Sequence, residues 1–143
     1  MAAFALVVAR FYDELAARLE AGARGVLVEA GEDVEVFAVE GAFELAPAAS
    51  YVLETRRFAG VVCLGAVIRG ETDHYEHVCA ATAYGIEKLA IESGVPVTFG
   101  VLTVDNYEQA LARSGGDKRD SGAHAAHAVL ALARLRSQLL GLS

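Results

Sequence analysis

Cysteine is scarce: the 143 residues include two, Cys63 and Cys79, in apolar surroundings and without Cys-x-x-Cys spacing. Neither a zinc site nor a disulfide framework is indicated, and a reducing, cytoplasmic setting is expected. Basic charge is also short. Twelve Lys and Arg face nineteen Asp and Glu, a net charge of −7, which is the wrong sign for a surface that holds nucleic acid. The apolar run at Met1–Ala9 is far below the ~20 residues that a membrane span requires. It also lacks a basic leader and a cleavage site, so no membrane association or targeting is expected. There is no low-complexity tract, internal repeat or linker, and residues 1–143 are expected to form one domain. What is abundant is apolar side chain, 55% of residues against 22% charged, a composition that supplies a core and excludes disorder.

Short apolar runs alternate with longer helical patterns, a βαβα rhythm. Phe4–Ala9 reads as a buried strand. Leu15, Leu19, Gly22 and Val26 then fall on one face of a helix ending near Gly31. Val34–Val39 is a second strand, followed by a helix from about Phe43 to Arg57 with Pro47 tolerated near its start. Val61–Ile68 is β-branched and does not alternate, which predicts a central parallel strand covered on both faces. Thr72 is a candidate cap for the next helix, whose Val78, Thr82, Ile86 and Leu89 line a face before Gly94 stops it. A strand over Val97–Leu102 follows, then a short helix capped by Asp105 or Asn106 and reaching about Arg113. Asp120 or Ser121 opens a last helix, with Leu132, Leu135 and Leu139 as its apolar stripe. The pattern predicts an open α/β sheet with helices on both faces and ligands at the carboxyl ends of the strands.

Those ends carry Arg10-Phe11-Tyr12-Asp13, Glu40–Glu44, Arg69–His74 and Thr103–Asn106. Gly65-Ala-Val-Ile-Arg-Gly70-Glu-Thr72 imitates a P-loop, but Glu71 stands where the lysine belongs and the middle reads as strand, so an NTPase is rejected. Gly70 lets backbone approach a ligand, and the amides of Glu71 and Thr72 at a helix start would hold one small anion. Such a site needs a cation. Arg113 is a candidate, or else a helix C-terminal charge interacting with the dipole. His74, in the first turn of the same helix, is placed to move protons near neutral pH. His74 and His77 have metal-like spacing without a third ligand, and no metal is expected. Phe11 and Phe43 are either ordinary packing residues or, beside Glu44, the walls of a slot for a heteroaromatic ring with a hydroxylated tail.

Five segments in order give the chain a resemblance to the lumazine synthases of riboflavin biosynthesis. They are Ala9-Arg-Phe11, Gly41-Ala-Phe-Glu44, Leu64-Gly-Ala-Val-Ile-Arg-Gly-Glu-Thr-Asp-His-Tyr75, Gly94-Val-Pro-Val-Thr-Phe-Gly100-Val-Leu-Thr103 and Glu108-Gln-Ala-Leu-Ala-Arg113. The resemblance runs from about Phe4 to Leu140. It implies a three-layer α/β/α sandwich, flavodoxin-like, with a four-stranded parallel sheet or four strands plus a vestigial edge. It also implies pentamers, sometimes twelve of them in an icosahedral shell, with active sites between subunits. The implied reaction is a transferase's carbon–nitrogen condensation of 5-amino-6-ribitylamino-uracil with 3,4-dihydroxy-2-butanone 4-phosphate. It makes 6,7-dimethyl-8-ribityllumazine, releases phosphate and water, and uses no metal or organic cofactor. By the same resemblance Phe11 stacks on the pyrimidine, Ala42, Phe43 and Glu44 hold the ribityl chain, and Ala66, Val67 and Ile68 read the uracil edge. Phe99 from the adjacent subunit closes the pocket. Glu71 and Thr72 contact the phosphate with a neighbour's Arg113, and His74 transfers protons.

The chain departs from the family pattern in three respects. Ser121 replaces a common lysine, for which Lys118 or Arg119 are possible substitutes from the loop. Glu40 stands where proline is usual, and three residues precede the first strand. They keep open an alternative, a catalytically weak flavin- or lumazine-binding shell or scaffold protein of the same fold.

Overall fold

Eleven consecutive residues, Phe58–Ile68, form the longest strand in a computed structural model that describes residues 3–71 and 74–142. The elements in chain order are β1 (Ala3–Ala9), α1 (Asp13–Glu29), β2 (Val34–Val39), a 3-10 turn (Ala42–Glu44), α2 (Leu45–Glu54), β3 (Phe58–Ile68), α3 (Tyr75–Ser93), β4 (Val97–Val104), α4 (Tyr107–Arg113) and α5 (Ser121–Leu140). The strands make one parallel sheet in the order β2-β1-β3-β4.

Alternation along β1 divides the core. Phe4, Leu6 and Val8 pack with α1 and α5 on one face, while Ala5, Val7 and Ala9 pack with α2 and α3 on the other. Both faces of β1 and β3 are thus covered, as their uninterrupted apolar runs require. The result is a three-layer α/β/α sandwich of the flavodoxin-like kind.

Strand lengths place the site. β1 and β2 finish level, with Ala9 opposite Val39, and β1 pairs with β3 no further than Val8 opposite Leu64. β3 continues to Ile68, where its partner is Val104 of β4. The end of β3 therefore overhangs β1 and walls one side of a step. Chain direction across the sheet also reverses between β1 and β3, the place where open α/β sheets collect ligands.

Several local expectations change. Residues 42–44 are 3-10 rather than α-helix, and α2 stops at Glu54, before Arg56 takes a φ of 58° and Arg57 leaves the helix. β3 and β4 are longer than the apolar runs suggested, beginning at Phe58 and ending at Val104. Thr72 lies outside the described residues, and α3 starts at Tyr75 with His74 as its cap residue. Asn106 and Asp120 cap α4 and α5 by accepting from the amides of Gln109 and Ala123.

The largest correction concerns α5. Leu132, Leu135 and Leu139 are exposed, and the helix packs inward through Ala125, Ala126, Val129 and Leu130. The reason is the close seating of α5 on α1: a Cβ on Gly122 would meet the Leu19 carbonyl, and one on Gly22 the Asp120 carboxylate. Such an approach admits small residues only, so the leucines occupy another face.

Candidate functional site

A cleft of about 280 Å³ opens on the step between β1 and β3. One side is the backbone and side chains of Ala66, Val67 and Ile68, which overhang β1 and have β4 on only one flank. The other side comes from two loops. Phe11, just beyond β1, is 65% exposed, and Phe43, in the turn beyond β2, is 61% exposed. Two large aromatics left in solvent beside a hollow are the walls of a slot rather than core residues. Ala42 forms its buried base.

The Phe43 turn is internally fixed. The Glu44 carboxylate accepts from the Gly41 amide at 2.9 Å, while the Glu44 amide donates to the Gly41 carbonyl at 3.1 Å. This is a capping-box arrangement that fixes an acidic group against the lining residue Gly41. Glu71 contributes the other carboxylate, now at the cleft wall. Its amide donates to the Ile68 carbonyl at 3.2 Å, so it closes a turn after β3 instead of standing at a helix start. Gly70 makes that turn with a φ of 85°, where a side chain would be strained.

Sequence reasoning missed Tyr12, Gly41 and Val78, which also line the cleft. Tyr12 follows Phe11 directly, and its ring meets Phe11 edge to face at 4.9 Å. Burial pushes the Tyr12 phenol up, and the Glu71 charge pushes it further. The Gly-x-x-Glu spacing of a capping box was the available signal for Gly41.

Two expected residues lie elsewhere. Phe99, on β4, is 40% exposed and borders a different hollow between α3 and α5. Arg113 ends α4, where its guanidinium donates to the Gln109 carbonyl at 3.1 Å. One chain therefore gathers Phe11, Ala42, Phe43, Ala66, Val67, Ile68 and Glu71, with Glu44 bonded to the lining residue Gly41, but leaves Phe99 and Arg113 outside. His74 stands exposed at the cap of α3 and accepts from the Val78 amide through its carbonyl, which ties it to the cleft wall. Lys118 and Arg119 are exposed on the loop after α4, their amides both directed at the Ala112 carbonyl. Ser121, in the place of the common lysine, begins α5.

No group of three metal-ligating side chains occurs among the described residues, and none of their helices is long and apolar enough to cross a membrane. Chemically the cleft offers two aromatic rings, a wall of strand residues and a carboxylate, with the His74 backbone bonded to its lining residue Val78. A covered parallel sheet with such a slot at its switch point defines a small-molecule-binding α/β protein. The family model described as 6,7-dimethyl-8-ribityllumazine synthase matches residues 1–137. A protein of that name from Novosphingobium aromaticivorans is 46% identical over 138 residues, 96% of this chain and 99% of the relative. One from Erythrobacter litoralis is 44% identical over 138 residues, covering 96% and 98%, and one from Pediococcus pentosaceus is 43% identical over 129, covering 88% and 83%. The chain belongs to the 6,7-dimethyl-8-ribityllumazine synthase family and is an enzyme of riboflavin biosynthesis.

Proposed function

We propose that this chain condenses 5-amino-6-ribitylamino-uracil with 3,4-dihydroxy-2-butanone 4-phosphate to give 6,7-dimethyl-8-ribityllumazine, phosphate and water. The observation that carries this reading is the slot itself: Phe11 and Phe43, both exposed, line a cleft whose other side is the overhanging end of β3. The pyrimidine stacks on Phe11, with its edge toward Ala66, Val67 and Ile68. The ribityl chain runs along Ala42 and Phe43 to the Glu44 carboxylate, which accepts from its hydroxyls. The phosphate lies beyond β3 near Glu71 and Thr72.

Glu71 repels a phosphate unless a cation is added, and none of the described residues lining the one-chain cleft is a cation. Arg113 of a neighbouring subunit fills that need, and a neighbour's Phe99 closes the pocket. The chain as a single domain thus works as a homo-oligomer, a pentamer or an assembly of pentamers, in the cytoplasm. Two features favour assembly: β4 is an edge strand of the sheet, and a mainly apolar groove of about 510 Å³ lies along α3 and α5. Leu132 and Leu135 border it, so the leucine stripe that is spare in one chain finds a purpose between chains.

The arylamine attacks the ketone, and loss of water and phosphate follows once the partners are aligned, so orientation supplies most of the acceleration. His74 moves protons during imine formation and elimination, worth roughly 10²- to 10⁴-fold for a well-placed group. The test is turnover of the two substrates by purified protein, followed by the green fluorescence of the lumazine. His74→Ala should slow kcat and leave measurable activity. Arg113→Ala should raise KM for the phosphate substrate by about 10- to 100-fold, the loss of a charge-assisted contact. Parent-like kinetics in both variants would sink the residue assignments, and binding of the lumazine without turnover would favour the scaffold alternative.

A further inference from the structure

The segment from Arg69 to His74 carries the proposed phosphate contacts and the proposed proton-transfer group, and Gly70 within it is left-handed. Its two ends are joined by a side chain. The Arg69 guanidinium lies over the Tyr75 ring, 4.4 Å from the centroid, and its Nη1 is 3.6 Å from the Glu76 carboxylate. Nε donates to Asp105 at 3.0 Å, while the Arg69 amide donates to the Val104 carbonyl at 2.8 Å. Asp105 is itself held, because its amide donates to the Gln109 side chain at 2.8 Å. The far end of Tyr75 is enclosed too, by the Thr103 and Cys79 side chains.

We propose that Arg69 is a positioning residue for His74: by clasping Tyr75 and Glu76 at the start of α3 to Asp105 at the end of β4, it sets where the imidazole stands. Tyr75 directly follows His74, so a shift of the Tyr75 ring moves the cap residue of α3 with it. The planar guanidinium is suited to the task, since it stacks on a ring and bonds a carboxylate through its edge at once. Exposed pairs of this kind add little to fold stability. Their effect here is on geometry, to which a proton-transfer step is sensitive. The inference rests on the reading of His74 as the proton-transfer group.

A double-mutant cycle on the assembled enzyme decides it. Arg69→Met keeps the aliphatic stem, and it should lower kcat about tenfold with KM for the phosphate substrate nearly unchanged. Arg69→Lys should recover part of the loss. In a His74→Ala background Arg69→Met should cost nothing further. In proton NMR the ring signals of His74 and His77 should move with Arg69→Met while those of His124 and His127 stay. Parent-like kcat in Arg69→Met, or an equal loss on the His74→Ala background, overturns the proposal. If Arg69→Met does not fold, Asp105→Asn in the same cycle replaces it, with a smaller loss of the same pattern expected and an additive one overturning it. A parent-like His74→Ala would overturn the reading of His74 and this inference with it, whereas a slow His74→Ala beside a parent-like Arg69→Met overturns the inference alone.

Discussion

A Cβ placed on Gly122 would stand 2.1 Å from the carbonyl oxygen of Leu19. That separation is inside van der Waals contact, and the neighbour is backbone, which cannot swing aside as a side chain would. Gly122→Ala must therefore force α5 away from α1 along the seam that buries Leu19, Ala126 and Val129. Overpacking of this kind costs about 1–3 kcal/mol, a fall in Tm of roughly 3–12 °C for a domain of this size. Thermal unfolding followed by circular dichroism measures it, and a Tm within a degree of the parent would contradict the close seating.

Phe11 is mostly in solvent, braced edge-on by Tyr12. Its removal should therefore leave stability alone and weaken a stacked ring. Phe11→Ala is expected to reduce affinity for 6,7-dimethyl-8-ribityllumazine by about 5- to 20-fold, the loss of an aromatic pair with its buried area. Phe11→Tyr should bind within about twofold of the parent, since the ring face is kept. Fluorescence titration of the lumazine reads both. Undiminished affinity in Phe11→Ala would place the ring somewhere other than this slot.

The strands and most helix ends were legible because their signals are local. β1 and β3 are apolar without alternation, and Asn106 and Asp120 cap the helices that follow them. The cleft was legible as well, since topology sends the ends of neighbouring strands to one side. What escaped depends on distance. Leu132, Leu135 and Leu139 have the spacing of a core stripe, and only the close approach of Gly22 to Asp120 and of Gly122 to Leu19 across α1 and α5 reveals that small residues own that face. The start of α3 escaped because the turn after β3 spends the Glu71 amide on Ile68. Arg69 bonding Asp105 is a contact over 36 positions that no periodicity announces. Phe99 and Arg113 were matched to family roles, and nothing within one chain brings them to the cleft.

Leu132 borders both the apolar groove on α3 and α5 and the hollow containing Phe99. It is 45% exposed in the single chain, so a charge there should not disturb the fold. Buried between subunits, the same charge would be unpaired and costly. Leu132→Glu is therefore expected to give folded, parent-like circular dichroism with a smaller particle in multi-angle light scattering, and to lose turnover along with assembly. A variant that scatters as the parent does would show that this face lies outside the subunit contact.

Cys63 lies wholly inside the sheet, on the face shared with α2 and α3, and burial pushes its thiol up to about 12 from an ordinary 9.0. Below about pH 9 the thiol is protonated whether the chain is folded or not, and stability does not respond to it. Between 9 and 12 the unfolded chain releases the proton while the folded one retains it, so unfolding gains with each step in pH. The slope approaches about 1.4 kcal/mol per pH unit for one such group. Cys79, Tyr12, Tyr75 and Tyr107 are raised as well, the first three chiefly by burial and the last by its hydrogen bond to Glu14, and they act in the same direction. Stability of the parent should thus fall progressively from pH 9 to 11. Cys63→Ala, although less stable at pH 8 through lost packing, should decline less steeply, because one of the five groups is gone. Urea midpoints at pH 8, 9, 10 and 11 for the two proteins give the slopes, and parallel slopes would mean that the Cys63 proton is not what the alkaline unfolding releases.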